Sequence, residues 1–142
     1  MFAMSRTKHK IVTTGIQVRF ADIDAMGHVN NAVHLIYFEE GRKAFLREVL
    51  DIVDPSDYPF ILAKISCEYK RPIRLEDPVE VKTWISETGK KSFTFKYELS
   101  SPDDEANVYC TGESVMAMYD YAKKETIAIH DETLRRIKDY CE

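Results

Sequence analysis

Residues 31–50 read NAVHLIYFEEGRKAFLREVL, and this stretch decides the fold. Val33, Ile36, Tyr37, Glu40, Ala44 and Arg47 recur at helical spacing, while Leu35, Phe38, Phe45, Leu46, Val49 and Leu50 add a second apolar flank. A helix this apolar on several sides must be covered by another layer of the protein. Asn30 or Asn31 is placed to cap it, since either side chain can accept an orphan N–H of the first turn. Gly41 falls in mid-helix, where it costs about 1 kcal/mol against alanine, and a close approach to a sheet would offset that cost.

Outward from the helix, the spacing changes to two. After it, Ile61, Ala63, Ile65, Cys67 and Tyr69 alternate with Lys64, Ser66, Glu68 and Lys70, and Pro72 ends the run because it cannot donate to a ladder. Val79, Val81, Thr83 and Ile85 form a second strand, with a hairpin turn at Glu87–Lys90. Phe93, Phe95, Tyr97 and Leu99 form a third, and Ser101–Asp104 supplies another turn. A fourth, about 106–121, puts Val108, Cys110, Gly112, Ser114, Met116 and Met118 on one face, small enough in places to receive the helix. Before the helix, residues 11–20 read as a strand with Ile16, Val18 and Phe20 on one side. Asp131 is placed to cap a short C-terminal helix at about 130–140. Strand, long helix and four further strands predict an α+β layer architecture, one helix on one antiparallel sheet.

The chain has 142 residues, a length that predicts one domain over 1–142 with its core at about 12–125. Hydrophobic residues are 44% and charged residues 31%, the balance of a globular chain rather than a disordered one. The formal net charge of −4 argues against sequence-independent nucleic-acid binding, which needs a basic footprint. No apolar run is long enough to span a bilayer, and Met1–Arg6 has no signal-peptide core, so the expectation is a cytoplasmic protein with no membrane partner. Cys67, Cys110 and Cys141 show neither C-x-x-C spacing nor a disulfide framework, and read as buried or tail thiols.

The stretch that carries chemistry is Val18-Arg19-Phe20-Ala21-Asp22-Ile23-Asp24-Ala25-Met26-Gly27-His28-Val29-Asn30-Asn31, the link between the first strand and the helix. A turn needs none of these groups merely to turn. Free N–H groups at a helix start face such a loop, and the helix dipole favours negative charge there. An acyl carbonyl docked on them is polarised as in an oxyanion hole, and a neighbouring carboxylate can attack it or activate water. Asp24 is the candidate carboxylate and His28 its candidate orienting partner. Asp22 reads as a loop residue bonding the backbone or Arg19. Gly27 supplies a conformation forbidden to side chains. Asp22, Asp24, His28 and His34 are possible metal ligands by type, yet no ligand motif accompanies them, and the expectation is no metal. No Gly-x-Ser-x-Gly elbow occurs.

The Val-Arg-Phe-x-Asp-x-Asp-x-x-Gly-His-Val-Asn-Asn run, the helix segment Tyr37–Arg42 and the later Tyr69-x-x-Pro72 with Asp77 resemble the hotdog-fold acyl-CoA thioesterases, in their 4-hydroxybenzoyl-CoA thioesterase and YbgC-like branches. The resemblance covers residues 12–125. It implies one long central helix wrapped by a five- to six-stranded antiparallel sheet, chains paired edge to edge as homodimers, and commonly homotetramers. By the same resemblance Asp24 matches the catalytic carboxylate, and Asn31 matches the residue whose main-chain N–H polarises the thioester carbonyl. Gly27 and Asn30 fall in the substrate-binding loop, and Lys64, Lys70, Arg71 and Arg74 are candidates to meet the phosphates of CoA. The Gly-His-Val-Asn-Asn form is more like the aliphatic acyl thioesterases, including those acting on acyl carrier protein. Glu39 and Glu40 loosely match a helix glutamate that is catalytic in another hotdog branch. The implied activity is thioester hydrolysis without a cofactor. The rival readings are a non-catalytic acyl-CoA-binding hotdog protein and a hotdog dehydratase or hydratase, for which His34 with Glu39 is the nearest match.

Overall fold

The computed structural model describes residues 9–142; the reading of Met1–Arg6 as lacking a leader lies outside the described residues. The chain runs β1 (Val12–Ile16), α1 (Val33–Leu50), β2 (Phe60–Tyr69), β3 (Val79–Thr88), β4 (Ser92–Ser101), β5 (Asp104–Asp120), β6 (Glu125–Thr126) and α2 (Asp131–Ile137). Single 3-10 turns at Phe20–Asp22, Pro55–Asp57 and Lys138–Tyr140 link or extend them. The sheet order is β1-β3-β4-β5-β2 with β6 added to β5, and all pairings between strands are antiparallel.

The 18-residue α1 lies against β1, β3 and β4. Its buried stripe, Phe38, Gly41, Phe45 and Leu46, meets an aromatic floor from β4. Phe38 stacks on Tyr97 with centroids 4.6 Å apart, and Phe45 meets Phe95 edge-on at 4.9 Å. Each fully buried phenylalanine contributes roughly 2–3 kcal/mol of transfer free energy. Two glycines bring the layers together. A Cβ at Gly41 would collide with Thr83 Oγ1 and lie 3.1 Å from a Val81 methyl, and a Cβ at Gly112 would strike the Phe38 ring. The mid-helix glycine therefore stands where the helix touches β3, as its position predicts.

Several local expectations need correction. The first strand ends at Ile16, and the 3-10 turn that follows turns Phe20 outward to 83% exposure, because Asp22 draws the chain back toward Arg19. α1 begins at Val33 with no side-chain cap on its N-cap residue; Asn30 instead accepts the Ala32 N–H on Oδ1 at 2.9 Å, one step earlier. In β2 the register slips between Leu62 and Lys64, a bulge that breaks the alternation and leaves Ala63 exposed. α2 is preceded by His130, not Asp131, as its N-cap and has no capping side chain.

Candidate active site

The loop from the 3-10 turn to α1 is built around two aspartates with different jobs. Asp22 is 2% exposed. Its carboxylate accepts the Arg19 N–H at 3.0 Å, the Arg19 guanidinium at 3.0 Å and the Tyr37 hydroxyl at 2.7 Å. Burial alone would raise its pKa, but the Arg19 N–H, Tyr37 and the guanidinium outweigh it and hold the carboxyl below its ordinary value. The same burial and the same carboxylate push the Tyr37 phenol well up, so this phenol stays protonated. Asp22 is thus the structural anchor, as its loop position suggests.

Asp24 is half-buried. One oxygen, Oδ1, accepts the main-chain N–H of Met26 at 2.9 Å and of His28 at 3.3 Å, while the Asp24 N–H donates to the His28 carbonyl at 2.8 Å. Gly27 closes the loop at φ 81°, the left-handed region that favours glycine, and donates to the Asp24 carbonyl at 3.0 Å. Ile23 and Val29 bridge across its base, and Val29 is tied to the Ile73 carbonyl at 2.8 Å. The loop thereby orders one carboxylate oxygen and leaves Oδ2 without a protein partner among the described residues.

A cleft of about 320 Å³ opens beside this loop. Asp24, Met26, His28, Val29 and Asn31 line it from one side, His34 from the first turn of α1, and Tyr69, Lys70, Arg71 and Pro72 from the end of β2. Asn31 stands in the turn before α1; its carbonyl accepts the Tyr69 hydroxyl at 2.6 Å, and its N–H has no acceptor among the described residues. Burial, then Cys67 as hydrogen-bond partner, pushes the Tyr69 phenol up to about 12. His34 is 2% exposed, and its Nδ1 lies 3.2 Å from the Asn30 carbonyl. Burial lowers its pKa against the smaller upward pull of the Asn30 and Asn31 carbonyls, which keeps the ring neutral.

Of the residues singled out from the sequence, Asp24, His28, Asn31, Lys70 and Arg71 line this one cleft. Gly27 and Asn30 shape it from within the loop. Lys64 lies in a separate groove with Ser66, Glu87 and Thr94, and Arg74, whose main-chain N–H closes a turn on Asp77 at 2.8 Å, is not among the residues lining this cleft either. His34 and Glu39, the pair nearest to a dehydratase reading, line different cavities of the chain. The sequence offered His34 as a possible metal ligand and as a match to a dehydratase pair with Glu39, not as a neighbour of Asp24 in one cleft; its i, i+4 step from Asn30 was the available signal. Among the described residues no group of three or more His, Cys, Asp or Glu side chains is placed to hold a metal. A larger groove, about 540 Å³, runs along Trp84, Lys96 and Glu98, where Lys96 pairs with Glu142 and Glu98 with Lys82. No helix among the described residues is long and apolar enough to cross a membrane.

The fold and family of this arrangement are shared with known proteins. A predicted thioesterase from Bacillus stearothermophilus superposes with a TM-score of 0.85 at 21% identity, over 94% of this chain and 98% of that one. A thioesterase of Thermus thermophilus, solved with coenzyme A and zinc, superposes at 0.79 with 25% identity, over 92% and 99%. The acyl-CoA thioester hydrolase YbgC of Escherichia coli is 26% identical over 92 residues, 63% of this chain and 69% of its own length. Residues 18–137, from just before the 3-10 turn at Phe20 to the end of α2, match the thioesterase-like superfamily, and the chain belongs to it.

Proposed function

We propose that this chain hydrolyses acyl-CoA thioesters to the free acid and CoA, with Asp24 as the catalytic carboxylate. The observation that carries the proposal is the convergence in one cleft of a carboxylate oxygen and a main-chain N–H in the turn before α1, both without a partner among the described residues, and two cations. In this reading the Asn31 N–H, helped by the positive end of α1, holds the thioester oxygen as charge develops on it. Asp24 Oδ2 attacks the carbonyl carbon to give a mixed anhydride, or takes a proton from the attacking water. Sulfur is a good leaving group and the thioester carbonyl is already activated, so the reaction calls for no cofactor. His28 and the Asn30 loop orient the carboxylate and the turn. Lys70 and Arg71 meet the phosphates of CoA, with Lys64 and Arg74 reaching a neighbouring chain's site.

The same reading takes the protein as one hotdog domain with α1 as its central rod, and as a homodimer or a tetramer of dimers. β2 is an edge strand of the sheet and carries Tyr69 at its end, which suits pairing beside the cleft. The test is release of free thiol, followed with DTNB, from a panel of acyl-CoAs and acyl carrier protein thioesters of different chain length. Turnover of at least one thioester supports the assignment. Binding of acyl-CoA with no release from any of them identifies a binding protein instead.

A further inference from the structure

The reaction leaves two thiols unused that the sheet brings together. Cys67 on β2 stands opposite Gly112 of β5, and Cys110 stands opposite Tyr69, so the two cysteines are diagonal neighbours on adjacent strands. Their Sγ atoms are 2.9 Å apart. That is well inside the roughly 3.5–4.0 Å at which non-bonded carbon atoms, smaller than sulfur, rest, and about 0.9 Å longer than a disulfide bond of about 2.05 Å. The sulfurs are 43 positions apart in sequence, so only the β2–β5 pairing makes them meet.

Their surroundings divide the roles. Cys67 is half-buried, on the face of β2 that it shares with Gly112 of β5, against the core. Cys110 is fully buried, with its sulfur against that of Cys67. Burial also pushes the Cys110 thiol up, which suits it to wait as the protonated second partner. Cys141, at the C-terminus, is not part of this pair.

We propose that Cys67 and Cys110 form a two-electron oxidation site that takes peroxide oxidants. Cys67 attacks the peroxide; the O–O bond breaks, an S–O bond forms and one water leaves, giving Cys67 sulfenic acid. The Cys110 sulfur then attacks the Cys67 sulfur. The S–O bond breaks, the S–S bond forms, and the oxygen departs with the Cys110 proton as a second water. The two sulfurs lose two electrons together, and the peroxide gains them. The new bond clamps β2 to β5 two residues before Tyr69, the side chain that holds the Asn31 carbonyl. This site stands whether or not the chain hydrolyses thioesters.

The test treats the full chain with a small excess of hydrogen peroxide under native conditions, beside a dithiothreitol-reduced control. The expected result is an intact mass lower by about 2 Da, with titratable thiols falling from three to one. Non-reducing peptide mapping should join the peptides holding residues 67 and 110. A reversible rise in Tm of roughly 5–10 °C is expected from closing so long a loop. Cys141→Ser should form the same bond, its titratable thiols falling from two to none, and Cys67→Ser should lose the change. Because the deciding measurements use wild-type and Cys141→Ser protein, poor folding of a Cys110 variant leaves the outcome readable. The proposal is overturned if Cys67 gains about 16 or 32 Da while Cys110 stays titratable, if the only disulfide formed joins two chains, or if no thiol is lost before unfolding.

Discussion

Tyr69 donates its phenolic hydrogen to the main-chain carbonyl of Asn31 at 2.6 Å, a bond between residues 38 positions apart. It ties the end of an edge strand to the turn that opens α1. The peptide carrying that carbonyl is the one next to the Asn31 N–H, so the bond sets the orientation of the turn on which the thioester oxygen would rest. Tyr69→Phe is expected to lower kcat/KM about tenfold, mainly in kcat, through misplacement of that turn. Tm should change by no more than the loss of one hydrogen bond, about 1 kcal/mol. Unchanged kinetics with lowered Tm would make the contact structural only.

Asp24→Asn keeps an Oδ1 able to accept the Met26 and His28 N–H groups and removes only the charge. The fold should survive with Tm within a few degrees of wild type, while thiol release falls at least 100-fold. Asp24→Ala should lose both activity and loop order. Wild-type kcat/KM in purified Asp24→Asn would end the assignment of this carboxylate.

Lys70 and Arg71 separate recognition of CoA from chemistry. Lys70→Ala combined with Arg71→Ala should raise KM for acyl-CoA several-fold and flatten its dependence on salt, since charge–phosphate attraction is screened. A short thioester of N-acetylcysteamine, which has no phosphates, should be hydrolysed with unchanged KM. Equal losses on both substrates would assign the cations to the fold rather than to CoA.

Asp22 supplies a pH dependence of stability. Its folded-state carboxyl is held below its ordinary value of 3.8 by the Arg19 N–H, Tyr37 and the Arg19 guanidinium against the opposing effect of burial. A depressed carboxyl contributes stability that is complete above the unfolded value and is lost as pH falls through the folded one. Asp22→Asn should cost about 2 kcal/mol near neutral pH, because the guanidinium loses its charged partner. The Tm gap between wild type and variant should narrow below about pH 4. A gap independent of pH would show that shape, not charge, anchors the loop.

Gly41→Ala sets helix propensity against packing. Alanine gains about 1 kcal/mol in the helix, but its methyl meets Thr83 Oγ1 and a Val81 methyl. Overpacking of this kind costs about 1–3 kcal/mol, so net destabilisation is expected in thermal or urea unfolding. A more stable variant would mean that α1 can lift off β3 without penalty.

Much was legible locally. The helical spacing of residues 31–50 and the strict alternation over 79–85 and 93–99 correspond to α1, β3 and β4, because the period of apolar residues is set by backbone geometry alone. The Asp22–Asn31 run marked a candidate segment for the same kind of reason, since its glycine, amides and two carboxylates lie within a few residues of each other. Local pattern failed where a contact outside the window won. Phe20 turns outward because Asp22 and Arg19 close the preceding turn, and the bulge in β2 is a matter of register with β5.

Residue order by itself determined the elements, the mid-helix glycine and the loop with its carboxylates. Tertiary structure decided which side chains share a cleft: Tyr69, Lys70 and Arg71 come to Asp24 and Asn31, while Lys64 does not. It also decided that Cys67 meets Cys110. The physical reason is range. Periodicity reports forces between residues a turn or a pleat apart, whereas a site assembled across tens of positions exists only once strand order and register have placed β2 beside β5 and the helix start beside them both.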